Sequence, residues 1–477
     1  MTEQTTVPTT AGSGHSRRWA ALAVTLLAVF MDLVDITIVV VAAPAIQADL
    51  GAPTAAVQWI MAAYALGLGL LLITGGRLGD IFGRKRVFLA GVAGFTAASA
   101  ACGLAQSIGM LVAARAVQGA AAAMMVPQVL ATIQVMFPSA ERPKAFGLYG
   151  AVNGLAAAAA PIAGGLLVGN DVFGLAWRSV FWVNVPIGLA ALLGAAVLMR
   201  ESRSPRPPRL DLPGVVLVGA GLLLVLYPLI QGPESGWPGW TWPMVAAAVA
   251  VLAVFARLQA RRERRWEQPL VPVSLFRQRS FVAGLAVAFA VFSSVTALFL
   301  VLTLQLQQGH GLSALQVGLT FLAWPLGLAV TSGLAVRLAA TAGRRLVACG
   351  AAVLTAAMVA LIAGIAVAGG DALTGWHLVP GLLAGGVGFG LVAPILVDIV
   401  LSAVPHQDAG AASGVVNTVI QVAGAAGVAA VGALYTTALA AGWDIDTAAQ
   451  WSLGYAVVAF GLGLCLTGAL PARPRTP

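Results

Sequence analysis

Long apolar stretches separated by short polar segments run through almost the whole chain. A helix needs about 20 apolar residues to cross about 30 Å of hydrocarbon, and in lipid its backbone groups must bond within the segment. The stretches that meet this length are 19–43, 56–76, 87–106, 109–136, 145–169, 179–199, 212–231, 240–258, 280–305, 314–337, 345–367, 376–402, 409–437 and 451–471. The pattern predicts an all-α integral membrane protein with fourteen transmembrane helices.

Composition supports lipid as the main solvent of this chain. Hydrophobic residues make up 60% of it and charged residues 9%, whereas a soluble domain carries about 25% charged residues. A water-soluble enzyme, a disordered chain and a disulfide-stapled module are therefore excluded. The three cysteines lie in apolar stretches without metal-ligand spacing, so we expect buried thiols at Cys102, Cys349 and Cys465.

The distribution of basic residues indicates the orientation in the membrane. Lys and Arg accumulate in short cytoplasmic loops, and a cytoplasmic amino terminus places all but two of the 26 basic residues on that side. The exceptions are Arg115, inside the fourth stretch, and Arg178. We therefore expect a multi-pass protein of the cell membrane with both termini in the cytoplasm. The basic residues are scattered and form no stacking face for nucleic acid, so no nucleic-acid partner is expected.

An internal repeat divides the chain. Residues 77–87 align without gaps with residues 337–347, and the segment 150–153 matches 414–417. The repeat predicts two pseudo-symmetric six-helix bundles, at 19–199 and 280–471, with two inserted helices and basic flanks at 200–279. The tails are 1–18 and 472–477. Two such halves around a cavity are typical of rocking secondary transporters. The chain has no Gly-x-x-x-x-Gly-Lys-Ser/Thr loop for phosphate, so we expect no cofactor, with a proton gradient as the energy source.

Four segments carry a family resemblance. They are Gly76-Arg-Leu-Gly-Asp-Ile-Phe-Gly-Arg-Lys-Arg86, Leu111-x-x-x-Arg115-x-x-Gln118-Gly119, Asp35-Ile-Thr-Ile-Val-Val-Val-Ala-Ala-Pro44 and the stretch from Trp177 to Gly188. Together they resemble the major facilitator superfamily, in particular its fourteen-span drug:proton antiporter branch. The resemblance covers nearly the whole length, although Val40 stands where that branch usually has asparagine.

The resemblance also implies roles for individual residues. It implies a gating latch on the cytoplasmic side, formed by Gly76, Arg77, Gly79, Asp80, Gly83, Arg84, Lys85 and Arg86. It links the fourth-span residues Arg115, Gln118 and Gly119 with proton coupling. In the fifth span, alanine replaces the first glycine of the antiporter motif around Pro161, and we still expect close helix packing through Gly150, Gly154, Ala160, Gly164 and Gly165.

Charged residues inside the predicted spans are the strongest site candidates. Asp32 and Asp35 are one helical turn apart and share a face, and a charge at bilayer depth costs at least about 2.5 to 3.5 kcal/mol unless it faces a cavity or a partner. Our hypothesis is that Asp35, with or without Asp32, alternately holds a proton and either a cationic substrate or Arg115. The alternative is a permanent pair of Asp35 and Arg115 that fixes two helices.

Further residues are candidates for the cavity lining. Aromatic rings can hold lipophilic cations, and the aromatic candidates are Trp59, Tyr64, Phe292, Phe299 and Trp324. Such rings also pack in the core or face lipid. Asp398, near the end of the twelfth span, either lines the cavity or extends to water.

These features predict a proton-coupled transporter that exports hydrophobic, cationic small molecules by alternating access, functional as a monomer in the lipid bilayer. Its expected partners are the small-molecule substrate and protons. Alternatives are a dedicated exporter of one endogenous metabolite or self-made antibiotic, a proton symporter, and a membrane-embedded sensor or enzyme. The spans carry no nucleophile–base or metal constellation, so we do not expect an enzyme. The inserted helices could serve as a spacer, a brace or a partner site.

Overall fold

The computed structural model describes residues 14–138, 141–170, 174–204, 210–233, 235–265, 269–368, 373–402, 404 and 409–470. The first half contains α1 (Gly14–Leu50), α2 (Thr54–Phe82), α3 (Arg84–Gly103), α4 (Ile108–Met136), α5 (Arg142–Gly169), α6 (Ser179–Trp182) and α7 (Asn184–Leu198). The inserted helices are α8 (Leu212–Gln231) and α9 (Thr241–Arg264). The second half contains α10 (Arg279–Leu304), α11 (Ala314–Phe321), α12 (Ala323–Ala368), α13 (Gly375–Ser402), α14 (Ala409–Ala440) and α15 (Ile445–Leu466).

Fourteen helical segments of the described chain are long and apolar enough to cross a membrane, which confirms the predicted all-α fold with fourteen transmembrane helices. The sixth span consists of α6 and α7, and α12 contributes to the tenth and eleventh spans. Several helices extend beyond the predicted stretches. For example, α1 continues through the polar residues Gln47 and Asp49 to Leu50, because a helix does not end where the hydrocarbon layer ends. Most of the 1–18 tail and all of the 472–477 tail lie outside the described residues.

The internal repeat coincides with equivalent breaks in the two halves. Gly83 separates α2 from α3 with a φ of 107°, in the region that favours glycine. A side chain at this position would also meet the Glu201 carboxylate. In the second half, the aligned residue Gly343 has non-helical backbone angles and kinks α12. The aligned glycines therefore redirect the chain at the same point of each repeat.

The two halves contact each other through several helix pairs, among them α1 with α10, α2 with α14 and α5 with α11. Residues Arg77 to Arg86 mark one end of the bundle, here called the basic end. At the opposite end, Gln308 Nε2 donates to Gln47 Oε1 at 2.8 Å and Gln307 Nε2 donates to the Val41 carbonyl at 3.0 Å. These two bonds join the segment after α10 to α1 and hold the halves together at the opposite end.

The inserted helices lie against the seam between α2 and α14. Helix α8 packs on both of these helices, and Gly219 of α8 faces the Leu70 side chain of α2. At the start of α8, the buried Asp211 accepts hydrogen bonds from Gly214 N at 2.8 Å, Gln259 Nε2 at 2.7 Å and Leu270 N at 3.3 Å. Asp211 thus joins α8, α9 and the segment that leads into α10.

The cysteine prediction holds for one of three residues. Cys102 is buried, whereas Cys349 and Cys465 are exposed free thiols. The prediction of burial was wrong for these two because an apolar stretch in a membrane protein is as compatible with a lipid-facing surface as with the core.

Candidate functional site

A buried ion pair joins α1 and α4 inside the first half. Arg115 Nη1 donates to Asp35 Oδ2, and the two side chains are 2% and 0% exposed. The Asp35 carboxylate also accepts from Gln118 Nε2 at 3.0 Å and from Asn184 Nδ2 at 2.7 Å. Arg115 Nη1 in turn reaches Gln118 Oε1 at 2.8 Å. Asp35 therefore has both a countercharge and a full set of donors, as a buried carboxylate requires.

Small residues on α2 and α4 bring the arginine into this position. A Cβ on Gly119 would collide with the Tyr64 carbonyl, and one on Gly67 would collide with the Ala116 carbonyl. This close approach places the Arg115 guanidinium 4.2 Å from the centroid of the Tyr64 ring, within the range of a cation–π contact. Glycine at 119 is thus required by the packing of α4 on α2.

The second aspartate has a different environment. Asp32 is 3% exposed and accepts a hydrogen bond from the Tyr64 hydroxyl. Within the part of the chain that the structure describes, no arginine or lysine forms an ion pair with Asp32. Tyr64 therefore links the two acids, because its hydroxyl bonds Asp32 while its ring contacts the partner of Asp35.

A cavity of about 840 Å³ lies between the two halves and reaches Asp32. We call it the central cavity. Its walls come from α1, α2, α4 and α5 of the first half and from α14 of the second, and its polar lining includes Asp32, Gln128, Tyr149, Asn153, Asn417 and Gln421. Arg77, Asp80, Arg84 and Pro269 lie at its mouth on the basic end. Since the halves are joined at the opposite end, the central cavity has its mouth on the basic end.

The predicted latch residues lie together at this mouth. Asp80 pairs with Arg84 at 3.0 Å, and the Asp80 carbonyl accepts from Ser204 N at 3.2 Å. Lys85 N donates to Glu201 Oε1 at 3.1 Å, and Arg86 lies 3.7 Å from the same carboxylate. These bonds join the loop to the segment after α7, within the same half.

The remaining latch residues face other neighbours. Arg77 Nη2 donates to the Pro269 carbonyl at 2.6 Å, which connects the loop to the segment before α10. Gly79 packs against the Gln128 side chain, and Gly76 lies near Pro127. In this conformation Arg77 is thus the latch residue bonded to the segment that enters the second half.

The predicted packing glycines of the fifth span fall into two groups. Gly164 lies against Ile38 and Val41, and Gly165 lies against the backbone of Leu315 on α11. The Pro161 carbonyl occupies the space that a side chain on Gly318 would need. Gly150 and Gly154 have no neighbouring atom within 4 Å of a Cβ position. The prediction of close packing at those two glycines was wrong, because both are exposed on α5 and have open space beside them.

The aromatic candidates other than Tyr64 lie away from the lining of the central cavity. Trp59 Nε1 donates to Gln231 Oε1 at 3.4 Å and its ring lies 5.9 Å from Tyr227, so it packs on the inserted α8. Phe292, Phe299 and Trp324 belong to an aromatic cluster with Phe321 and Phe389, with neighbouring centroids 5.1 to 5.9 Å apart. Asp398 is exposed on α13. Among the described residues, none of these candidates is part of that lining.

Several polar residues of the site were not predicted. Asn184 and Ser99 complete the buried centre, with Asn184 Nδ2 donating to Ser99 Oγ at 3.0 Å. Tyr149, Asn417 and Gln421 line the central cavity. The available signal was an uncharged polar residue isolated in an apolar span, and in the repeat it occurred twice, at 153 and 417.

Comparison with known proteins identifies the family. The sequence matches the family model of the Major Facilitator Superfamily over residues 25–428. The probable actinorhodin transporter of Streptomyces coelicolor is 44% identical over 422 residues, which cover 88% of this chain and 73% of that protein. The puromycin resistance protein pur8 of Streptomyces alboniger is 38% identical over 467 residues, covering 96% and 91%.

A solved structure supports the same fold. It is a bacterial homologue of the human lysosomal transporter Spinster, in an inward-facing and occupied conformation. It matches with a TM-score of 0.67 at 17% identity and covers 96% of this chain and 97% of its own. The family match, the relatives and the fourteen membrane helices agree with the sequence motifs. The chain belongs to the Major Facilitator Superfamily and is a membrane transporter, not an enzyme.

Proposed function

We propose that this transporter exports amphipathic small molecules that carry a basic group, antibiotics among them, in exchange for protons. The relatives support export, since one is named as an antibiotic transporter and another as an antibiotic resistance protein. The positive-inside distribution supports a cytoplasmic basic end. In that orientation the central cavity receives substrate from the cytoplasm.

The contrast between Asp32 and Asp35 is the main observation that supports proton coupling in this proposal. Asp35 is neutralised by Arg115 and bonded by two amides, so its charge is already satisfied. Asp32 lines the central cavity, and a phenol is its described hydrogen-bond partner. A phenol supplies no positive charge, so a cation or a proton is needed to neutralise Asp32. We infer that these two occupants exclude each other.

This exclusion gives an exchange cycle. The substrate enters from the basic end and its cationic group neutralises Asp32. The halves then rock, the bonds of Gln307 and Gln308 to α1 break, and the cavity opens at the opposite end. A proton replaces the substrate on Asp32, and the neutral carboxyl returns. Arg115 and Asp35 hold α1 and α4 in register, and Tyr64 couples this centre to Asp32.

The test uses inside-out vesicles with a respiration-driven, acid-inside proton gradient. A pH-sensitive dye reports lumenal acidity after substrate is added. Wild type is expected to dissipate the gradient, and Asp32→Asn is expected not to. Asp398→Asn, an exposed carboxylate outside the cavity lining, is the matched control and should behave as wild type. Full dissipation by Asp32→Asn would refute the assignment of the exchange to Asp32. If dissipation is lost only in Asp35→Asn, the exchange takes place at Asp35 instead.

A dedicated exporter of one antibiotic is the second candidate, and the 44% identity to the probable actinorhodin transporter favours it. A panel of chemically unrelated compounds separates the two readings. Dissipation by several scaffolds indicates a multidrug exporter, whereas dissipation by one scaffold indicates a dedicated one. A proton symporter would not dissipate an acid-inside gradient when substrate is added outside, so the same assay also tests the direction of coupling.

A further inference from the structure

Two asparagines at equivalent positions of the repeat line the central cavity. Asn153 lies on α5 and Asn417 on α14, in the matching segments 150–153 and 414–417. The two helices belong to different halves, so the asparagines contribute to walls that move relative to each other during rocking. An uncharged amide in a membrane span needs water or a partner, and this cavity supplies that environment for both.

The two amides are held in the same way. Asn153 Nδ2 donates to the Tyr149 carbonyl at 2.7 Å, and Asn417 Nδ2 donates to the Ser413 carbonyl at 2.9 Å. Each bond runs back one turn along the residue's own helix and fixes the side chain there. Both bonds use an N–H group, so each side chain keeps its carbonyl oxygen as an acceptor.

Further polar groups continue these two walls. Gln421 lies one turn beyond Asn417 on α14, and Tyr149 lies one turn before Asn153 on α5. Asp32 on α1 adds the acidic group. The central cavity therefore offers one acid and amide acceptors on both halves, whereas the aromatic cluster around Trp324 lies elsewhere. A purely lipophilic cation would satisfy the acid and leave the amides unpaired.

We propose that Asn153 and Asn417 form a two-sided hydrogen-bonding clamp that selects substrates with hydroxyl, amino or amide donors at separate positions, in addition to the basic group at Asp32. The proposal rests on the proposed export function and deepens it. The substrate class is a polyfunctional amphipathic cation. A site built to bond such donors discriminates against molecules that lack them, because its own polar groups are then left unpaired.

The experiment compares two cations in the vesicle assay, with direct measurement of radiolabelled uptake. Puromycin carries hydroxyl, amino and amide groups, whereas tetraphenylphosphonium carries no hydrogen-bond donor. The variants are Asn153→Leu, Asn417→Leu and their combination. Asn170→Leu is the matched control, because Asn170 makes the same bond to the carbonyl one turn back on α5 but lies outside the cavity lining.

Each single variant is expected to lower puromycin transport by about three- to tenfold, the effect of one hydrogen bond. The double variant is expected to lower it further, with tetraphenylphosphonium transport within about twofold of wild type. Asn153→Ser and Asn417→Ser keep the bond to the helix but shorten the side chain, and should show the same selective loss. These serine variants provide the test if a leucine variant fails to insert into the membrane.

The outcomes separate this proposal from the proposed function. Equal loss of both compounds, or no loss of either, overturns the clamp. If the wild type transports tetraphenylphosphonium but not puromycin, the clamp is also overturned. Absence of transport of both compounds by correctly inserted wild type refutes the proposed export of diverse basic compounds and favours the dedicated exporter or a symporter.

Discussion

Removal of the Arg115 charge is the sharpest test of the buried centre. Arg115→Met leaves Asp35 without its countercharge at a position where the carboxylate is 0% exposed. Breaking a buried ion pair from one side typically costs about 3 to 5 kcal/mol, and we expect a loss of this size in the free energy of unfolding. Asp35→Asn leaves the buried guanidinium unpaired and is expected to cost a similar amount.

The double variant decides whether the cost comes from the unpaired charge. In Asp35→Asn/Arg115→Met both charges are absent, and Gln118 and Asn184 can still bond the amide. We expect the double variant to be more stable than either single variant, so the coupling energy is several kcal/mol. The assay is reversible unfolding in mixed micelles, followed by tryptophan fluorescence. Losses that add in the double variant would refute the ion pair as the source of the stability.

A control variant tests whether burial of the pair is the source of this cost. Arg178→Met is the matched control, because it breaks a pair with Asp49 whose side chains are 26% and 45% exposed. An exposed pair contributes about 0 to 1 kcal/mol.

Three further predictions test the contacts between the halves and the inserted helices. Gly165→Val should push α5 away from α11, since a side chain there meets the α11 backbone. Thiol labelling of a cysteine placed at the opposite end should therefore increase, whereas Gly154→Val, with open space around it, should have no effect. Gln308→Ala removes one bond to α1 and should raise the same labelling rate up to about tenfold, so an unchanged rate would exclude this bond from the closed gate. Asp211→Asn removes a buried charge that bonds α8, α9 and the segment before α10. It should lower the unfolding free energy by about 3 kcal/mol, measured by thermal unfolding, and wild-type stability of this variant would show that Asp211 does not hold the insert in place.

The fold could be predicted because the bilayer leaves few alternatives. A chain in hydrocarbon must bond its own backbone polar groups, so each apolar stretch of sufficient length becomes a helix. The charge distribution then supports an even number of spans, and both of its exceptions have a partner in the structure. Arg115 pairs with Asp35 and Arg178 pairs with Asp49. An exception to a charge rule is therefore a useful signal for a specific pair.

The site could be predicted mainly where a charge was involved, although Gln118 and Tyr64, both uncharged, were also among the candidates. Asp32, Asp35 and Arg115 were found because a charge in a span is costly and so demands a reason. Asn184 carries no charge and gave a weaker signal, although it bonds Asp35 directly. Nor can burial be predicted from an apolar helix whose lipid face and core face have the same composition. This explains why the environment of Trp59 was not predicted from its position.

The inserted helices show what only the tertiary contacts reveal. Their sequence is compatible with a spacer, a brace or a partner site. In the structure, α8 packs on α2 of one half and α14 of the other, and Asp211 bonds Leu270 N in the segment that enters α10. The adjacent Pro269 carbonyl accepts from Arg77 in the latch loop. A passive spacer needs none of these bonds, so the proposed rocking of the halves must either move the insert with one half or break its contacts with the other.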